Sequence, residues 1–296
     1  MTEEKSFRDK WYEAVDRKGS ILCAGLDPAV YEMGRGEKGL PQGASKLRWS
    51  LRYLDAVASY SAAVKLNTNY LEGKEDNENS RKIVGQSHDL GLVAIEDSKR
   101  RDIGDTNDAG LFYAQQKGYD AVTFSPFAGN IEEAVKQAHS RGLGLISMCI
   151  MSNPEFEREK RKLVPLTPED VKELNDPTRD RLVYLQGQAY MAQYEWLAHT
   201  AKKSGADGIV VGAPSKKNHI TEEEISRVKS IVGEDMLILV PGVGAQGGEL
   251  NLLTKYFHKK DLIVNVSRDL MLPKGMNSTP KNQREAAEKF RDMLMA

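Results

Sequence analysis

The chain has 296 residues, of which 40% are hydrophobic and 29% charged, and its formal net charge is -1. This balance predicts a sizeable core and gives no overall positive field that would attract nucleic acid. The N-terminus, MTEEKSFRDKWYEAV, is helical in pattern and lacks the apolar region of a signal peptide. No stretch approaches the roughly 18 apolar residues of a membrane-spanning helix. We therefore expect a cytoplasmic protein with neither a membrane nor a nucleic-acid partner.

The two cysteines, Cys23 and Cys149, lie far apart within apolar runs. Their spacing fits neither a zinc site nor a redox pair. We expect both to be buried thiols with a structural role.

Eight short apolar or β-branched runs recur along the chain, and most of them precede a segment with helical periodicity. The runs are SILCAGLD, AAVKLN, LVAIED, AVTF, GLISMC, GIVVGA, MLILVPG and DLIVNVS. The predicted helices cover residues 47–59, 81–89, 107–117, 131–141, 184–204, 222–232 and 283–295. Apolar strands that alternate with helices imply a parallel sheet. An open doubly wound sheet has the same local pattern, but eight strands favour a closed (β/α)8 TIM barrel.

One long, charged and proline-marked segment, residues 153–182, interrupts this order after the fifth run. We expect a single barrel domain over residues 1–296, with this segment inserted on the side where barrel active sites lie. Long loops on that side often act as lids. The basic run REKRK within it could contact phosphate or nucleic acid, but its acidic neighbours favour a solvated helix face.

Polar residues stand at the predicted C-terminal ends of these strands, where barrel enzymes have their active sites. They are Asp27, Lys65, Asn67, Asp97, Lys99, Thr123, Ser125, Ser152, Ser267 and Arg268. Residues two apart share a strand face, so Lys65 and Asn67 point the same way. The same holds for Asp97 and Lys99. Lysines are rarely buried unpaired, and Asp97 and Asp102 are the available partners.

A structural salt-bridge network could produce this pattern of charges. Buried ion pairs, however, usually cost desolvation energy without adding stability. An array of two lysines and two aspartates at a barrel mouth is therefore more easily explained by chemistry.

The stretch LVPGVGAQGGELNLL, residues 239–253, is a predicted strand that runs into a glycine-rich turn. Backbone N–H groups of Gly244, Gln246 and Gly247 could face an anion there, although glycines also make ordinary tight turns. The next strand ends in NVSRD, which brings Arg268 beside this turn. Because barrels often bind phosphate at the loops after strands 7 and 8, we predict a phosphate site here.

From LCAGLDP to VNVSRD, and above all in Asp97, Lys99, Asp102 and Thr106 at their spacing, the chain resembles the orotidine 5'-monophosphate decarboxylase family in its longer form. The resemblance implies a (β/α)8 barrel and loss of CO₂ from orotidine 5'-monophosphate to give uridine 5'-monophosphate (UMP) in de novo pyrimidine biosynthesis. It implies neither a metal nor an organic cofactor. It also implies a homodimer with shared active sites.

The same resemblance implies a role for each matching position. Lys65, Asp97, Lys99 and Asp102 match the family's catalytic charges, with Lys99 as the proton donor to the C6 carbanion. Asp102 and Thr106 would reach the partner's site. The implied substrate-binding positions are Asp27, Asn67 and Thr106 for the ribose, Ser152 for the pyrimidine, Pro241 for the base pocket, and Gln246 with Gly247, Ser267 and Arg268 for the phosphate region.

The chain departs from the family pattern at two places. Ser267 stands where many members have glycine, and RRD replaces smaller residues after Lys99. We expect Arg100 and Arg101 to be surface or interface charges, and strand alternation points Glu96 away from the site.

Three other functions compete with this one. A magnesium-dependent decarboxylase or aldolase acting on sugar phosphates would share the Asp, Lys, Asp motif, but it would have an acidic metal ligand where this chain has Lys65. A Schiff-base aldolase would need Lys65 or Lys99 in apolar surroundings, whereas carboxylates stand close to both. A catalytically inactive barrel that binds nucleotides as a sensor would not need the complete set of charges.

Overall fold

The computed structural model describes residues 5–243 and 250–296. Its strands are β1 (Leu22–Leu26), β2 (Ala63–Asn67), β3 (Val93–Arg100), β4 (Ala121–Phe124), β5 (Gly144–Ile150), β6 (Leu163–Pro165), β7 (Val183–Leu185), β8 (Gln188–Ala192), β9 (Gly208–Val211), β10 (Leu237–Pro241), β11 (Leu262–Val266) and β12 (Pro273–Met276). Its helices are α1 (Phe7–Lys18), α2 (Lys46–Val57), α3 (Asp76–Asp89), α4 (Gly104–Lys117), α5 (Ile131–Ser140), α6 (Phe156–Glu159), α7 (Pro168–Glu173), α8 (Asp176–Arg179), α9 (Gln193–Lys203), α10 (Glu222–Val232), α11 (Asn251–Thr254), α12 (Arg268–Met271) and α13 (Pro280–Met295).

Eight parallel strands close into a barrel in the order β1, β2, β3, β4, β5, β9, β10 and β11, and β11 pairs back with β1. Each of the eight predicted apolar runs provides one of these strands. The prediction of a (β/α)8 barrel is therefore confirmed, and the open sheet is excluded. Helices surround the strands, which explains why most strand residues are buried on both faces.

Local sequence signals explain where the predicted helix bounds agree with the structure and where they do not. Helix α10 has the predicted bounds, because Thr221 and Glu224 form a capping box at its start and Gly233 follows its last residue. The helix predicted at 184–204 is wrong in its first half, since α9 begins only at Gln193. Residues 183–192 instead form the β7–β8 hairpin, whose turn has positive φ angles at Gln186 and Gly187.

The segment between β5 and α9 extends from residue 151 to residue 192 and is longer than the predicted insertion. Strands β6, β8 and β7 form an antiparallel sheet within it. Ala189 and Met191 alternate along β8 and pack with Leu166 and Leu174 in a small separate core. This period of two, typical of a strand, determines the structure here.

A buried lysine fixes this segment to the barrel. Lys160 belongs to the basic run that we expected to be solvated, but it has no exposed surface. Its ammonium lies 2.6 Å from Glu224 Oε1 and donates to the carbonyl of His219 at 2.5 Å. The expectation of a solvated run is therefore wrong at Lys160, because the charge is neutralised by a carboxylate of α10.

Helix α1 covers the N-terminal end of the barrel. Trp11 Nε1 donates to the carbonyl of Lys260 at 2.7 Å, and Tyr12 donates to Asp261 Oδ1 at 2.7 Å, just before β11. The opposite end, where the strands finish, remains available for a site. Both cysteines are buried as expected. Within the described ranges, no helix is both long and apolar enough to cross a bilayer.

Candidate active site

A cavity of about 300 Å³ opens at the C-terminal ends of the barrel strands. The predicted site residues that line it are Asp27, Lys65, Asn67, Asp97, Pro241, Ser267 and Arg268. They come from β1, β2, β3, β10 and β11 or from the positions just after them. Residues far apart in sequence are thus brought together by barrel closure.

Three charged side chains form a chain of ion pairs with one carboxylate between two ammonium groups. Two of them, Lys65 and Asp97, line the cavity, whereas Lys99 does not. The Lys65 ammonium donates to Asp97 Oδ2, and Lys99 Nζ lies 2.5 Å from Asp97 Oδ1. Lys65 and Asp97 are buried, whereas the Lys99 side chain is 45% exposed. We refer to these three residues as the charged triad.

Mutual attraction in the charged triad outweighs the cost of burial. Burial alone would raise the pKa of Asp97, but the charges and hydrogen bonds of Lys65 and Lys99 lower it to about 2. Burial alone would lower the pKa of Lys65, but Asp97 and Asp27 raise it. Both groups are therefore ionised at neutral pH.

The backbone at Lys99 leaves the regular strand. Pairing between β3 and β4 is irregular between Glu96 and Arg100, and Lys99 has a φ of 47°. Such a conformation costs a non-glycine residue about 1–3 kcal/mol and is typical of functional sites. The Lys99 N–H donates to Thr123 Oγ1 at 2.9 Å, and Thr123 Oγ1 lies 3.3 Å from Asp97 Oδ1. Thr123 therefore holds the bulge that directs Lys99 toward Asp97.

Glu96 and Arg100 form a separate ion pair outside the cavity. Glu96 is buried and points away from the site, as alternation predicted. Arg100 Nε and Nη2 donate to its carboxylate at 3.0 and 3.1 Å. Gly110 on α4 leaves room for the guanidinium, because a Cβ there would clash with it. Arg100 is thus half-buried in an ion pair. The expectation that it is a surface charge is wrong, and the expectation that it lies at an interface stays a prediction.

Two buried acceptors at the cavity have no protein donor within the described residues. They are Asp27 Oδ1 and Asn265 Oδ1. Both residues line the cavity, and the Asn265 amide donates to Ser267 Oγ at 3.2 Å. Buried polar atoms normally have a hydrogen-bond partner. A ligand with hydroxyl groups would supply donors of the missing kind.

The backbone of β1 and the residue that follows β11 lie close together beside the cavity. A Cβ at Gly25 on β1 would lie 2.8 Å from the Cα of Ser267, a distance that real side chains do not adopt. Ser267 thus packs directly against the bare backbone of β1. Arg268 follows it at the start of α12, is exposed, and has no carboxylate partner among the described residues.

Residues 20–274 match the family described as orotidine 5'-phosphate decarboxylase / HUMPS. The chain belongs to this family. Its curated relatives carry the name orotidine 5'-phosphate decarboxylase. The orotidine 5'-phosphate decarboxylase of Variovorax paradoxus (strain S110) is 30% identical over 301 residues, with 98% of each chain covered. That of Verminephrobacter eiseniae (strain EF01-2) is 31% identical with the same coverage. The resemblance seen in the sequence motifs is confirmed.

Solved structures of similar proteins have the same fold. The OMP decarboxylase of Leishmania donovani has a TM-score of 0.70 at 22% identity, with 98% of this chain and 97% of that chain covered. The UMP synthase of Leishmania donovani has a TM-score of 0.71 at 24% identity. That match covers 98% of this chain but 56% of the other, so the chain spans about half of that longer protein. At these identities the likeness supports the fold alone.

Two positions implied by the decarboxylase family lie away from this cavity within one chain. Asp102 and Thr106 are exposed, and neither lines the cavity. Asp102 Oδ1 accepts from the N–H of Ile103 at 2.9 Å, and no described lysine or arginine forms an ion pair with it. Asp102 therefore does not join the charged triad of its own chain, and its place in the partner's site stays a prediction.

The remaining predicted positions fall into three groups: one lies away from the cavity, one lines it, and the others lie outside the described residues. Ser152 lies after β5, where a Cβ at Gly212 would be 3.0 Å from its own Cβ, and it does not line the cavity. Pro241 does line it. Gln246 and Gly247, like Gly244, lie outside the described residues, so the predicted anion-binding turn stays a prediction.

Sequence reasoning missed several residues that line the cavity. Arg35 and Lys38 come from the loop after β1, Tyr70 from the turn after β2, and Asn265 from β11. A signal for Asn265 was present, because it is the one polar residue of the apolar run LIVNV. The loop after β1 leaves the C-terminal end of a barrel strand, which is also where binding residues are expected.

Proposed function

We propose that the protein decarboxylates orotidine 5'-monophosphate to UMP without a metal or an organic cofactor. The observation that carries this proposal is the charged triad, in which Asp97 lies between the ammonium groups of Lys65 and Lys99. Lys65 and Asp97 line the cavity. Membership of the decarboxylase family and the ring of polar strand ends support it.

Decarboxylation requires the site to stabilise a carbanion. When the bond between C6 and the carboxylate breaks, CO₂ leaves and its bonding electron pair remains on C6 of the pyrimidine. The Lys99 ammonium stabilises that charge and then donates the proton that replaces CO₂. Solvent can restore the proton, because the Lys99 side chain is 45% exposed.

Asp97 keeps Lys65 charged and holds both ammonium groups in place. With a pKa of about 2 it remains a carboxylate at neutral pH, and the bond it makes with each ammonium fixes their positions. A carboxylate at this place would also repel the substrate carboxylate, and departure of neutral CO₂ relieves that repulsion. Lys65 compensates Asp97 from the buried side, so Lys99 is available to the substrate.

The rest of the cavity suits a nucleotide. Asp27 and Asn265 offer buried acceptors for hydroxyl donors such as those of a ribose. Arg268 offers a guanidinium for a phosphate. Phosphate binding lies away from the reacting bond, and its binding energy can be used to orient the base at C6.

We infer that the active protein is a homodimer in which Asp102 and Thr106 complete the partner's site. The exposed apolar side chains near them support this assembly. Ile103 and Phe127 are 57% and 73% exposed, and Asn130 Nδ2 ties the two segments together by donating to the carbonyl of Asp102 at 3.0 Å. Large exposed apolar side chains are typical of interaction surfaces.

The same observations disfavour the competing activities. A Schiff-base lysine must lose its proton, whereas the pKa of Lys65 is raised. A metal ion beside Asp97 would have to displace the Lys65 ammonium. The described residues contain no group of three histidine, cysteine, aspartate or glutamate side chains that could hold a metal ion.

The decisive experiment follows the absorbance of orotidine 5'-monophosphate after purified protein is added in EDTA. We expect substrate loss and stoichiometric UMP, and no change in rate when magnesium is restored. A Lys82→Ala variant serves as the matched control, because Lys82 is an exposed lysine of α3 outside the cavity. No substrate loss at high protein concentration would refute the proposal, and activity only with magnesium would favour the metal-dependent alternative.

A further inference from the structure

The loop after β1 brings two unpaired cations to the cavity. Arg35 and Lys38 both line it and are both exposed. Within residues 5–243 and 250–296, no carboxylate lies within ion-pairing distance of either. Two such cations at one cavity would suit an anionic ligand.

This loop, residues 29–40, has a defined backbone. The N–H of Leu40 donates to the carbonyl of Ala29 at 2.7 Å, and this hydrogen bond connects the two ends of the loop. Gly34 and Gly36 have φ angles of 66° and 53°, a conformation that favours glycine, and they flank Arg35 on both sides. The position of Arg35 is thus set by two turns and does not depend on a ligand.

An aromatic ring holds the Arg35 side chain. Its guanidinium carbon lies 5.0 Å from the centre of the Tyr70 ring. Tyr70 follows Asn67 by three residues, and both line the cavity. A guanidinium over an aromatic ring still has N–H groups with which to bind an anion.

The other side of the loop contacts β12, the strand that follows the helix beginning at Arg268. Gly275 on β12 has a φ of 57°, and a Cβ there would be 3.2 Å from the Cβ of Glu37. Glu37 therefore packs against β12, while Arg35 and Lys38 line the cavity. Because α12 and β12 are consecutive, this contact keeps the loop next to Arg268.

The charges of the cavity leave an excess of cations. Lys65 and Asp97 neutralise each other. The other charged lining residues within the described chain are Arg35, Lys38 and Arg268 against Asp27 and Asp269. A phosphate monoester carries close to two negative charges at neutral pH, so Arg268 alone would not balance it.

We propose that Arg35 and Lys38 bind the substrate phosphate together with Arg268, which makes the loop after β1 a phosphate-binding element of this enzyme. This inference rests on the proposed function. Arg35 supplies paired N–H donors, and Lys38 supplies a point charge.

The test compares calorimetric binding of UMP and of uridine, which lacks the phosphate, to Arg35→Ala, Lys38→Ala and the double variant. We expect each single variant to weaken UMP binding about 10-fold and the double variant about 100-fold, because each removes a charge-assisted contact. Uridine affinity should not change. Arg48→Ala is the matched control, since Arg48 is an exposed arginine of α2 outside the cavity.

Two results overturn the inference and leave the proposed function intact. One is a wild-type protein that decarboxylates orotidine 5'-monophosphate while the double variant binds UMP normally. The other is an equal loss of UMP and uridine affinity, which would show that the loop holds the nucleoside or the fold. Wild-type protein that neither binds UMP nor consumes orotidine 5'-monophosphate would instead refute the proposed function and this inference with it.

Discussion

Lys99 Nζ lies 2.5 Å from Asp97 Oδ1, although the backbone at Lys99 is left-handed and lies in an irregular part of the strand that carries Asp97. On a regular strand, side chains two apart are parallel and do not point at each other. The bulge held by Thr123 turns the ammonium back onto the carboxylate. The backbone distortion at Lys99 and the geometry of the ion pair thus have the same cause.

Removal of the Lys99 ammonium should abolish turnover and leave nucleotide binding largely intact. We expect Lys99→Ala to lower kcat by about 10³-fold or more, since it removes both the proton donor and the charge that stabilises C6. Steady-state decarboxylation kinetics and UMP calorimetry measure the two effects. Near-normal kcat in Lys99→Ala, with Lys82→Ala as the control, would contradict the assigned role.

Removal of the Arg268 guanidinium should act through binding. We expect Arg268→Ala to lower kcat/KM by about 10²-fold, the size of a charge-assisted phosphate contact. Orotidine, which lacks the phosphate, should be processed equally slowly by the variant and the wild type. An unchanged kcat/KM for orotidine 5'-monophosphate would show that Arg268 does not bind the phosphate.

The Asp97 carboxylate should make stability depend on acid pH. Its pKa in the folded chain is about 2, below the ordinary value of 3.8, so its contribution is complete above about pH 4 and is lost as the pH falls through about 2. The shift corresponds to about 2 kcal/mol. Urea unfolding of wild type and Asp97→Asn should show a gap in unfolding free energy at pH 7 that narrows below pH 3. A gap independent of pH would contradict the ionic origin.

Shared active sites should be detectable by mixing inactive variants. Lys99→Ala and Asp102→Ala are each expected to be inactive as homodimers. A mixed dimer contains one site with both residues intact, so random exchange of equal amounts should restore about a quarter of the wild-type sites. The assay is decarboxylation after subunit exchange at low protein concentration. Recovery of no activity, with dimers shown by sedimentation, would place Asp102 within its own subunit's chemistry.

The buried pair of Lys160 and Glu224 should hold the segment between β5 and α9 in place. Glu224→Gln keeps an acceptor for the N–H of Thr221 but leaves the Lys160 charge buried and uncompensated. We expect this to lower the free energy of unfolding by about 3–5 kcal/mol. Thr221→Ala is the control for the helix cap alone and should cost about 1 kcal/mol. Equal losses in urea unfolding would mean that the cap, and not the ion pair, dominates.

The barrel and the positions of Lys65 and Asp97 follow from the sequence because both depend on regular strands. Hydrophobic runs locate each strand, and the barrel end where strands finish is common to all of them. Lys65, Asn67 and Asp97 therefore reach one cavity without knowledge of any loop.

The features that sequence reasoning missed depend on contacts between distant segments. Arg100 looked like a surface charge because neither its pairing with Glu96 around a bulge nor the space at Gly110 is visible in a local pattern. Arg35 reaches the cavity through glycine turns and a ring from another loop. The hairpin at 183–192 was assigned to a helix because its short strands precede α9 without a clear break.

Gly25 and Lys99 should both resist substitution, but for different reasons. In a deep mutational scan scored on activity, replacements of Lys99 should be lost because of the reaction, and replacements of Gly25 because no side chain fits against Ser267. Scored on protein abundance instead, Lys99 should tolerate most residues, while Gly25 should tolerate none larger than glycine. The wall of the barrel mouth is therefore under a packing constraint that is independent of the substrate, and it would persist in any descendant of this sequence that acquired a different chemistry.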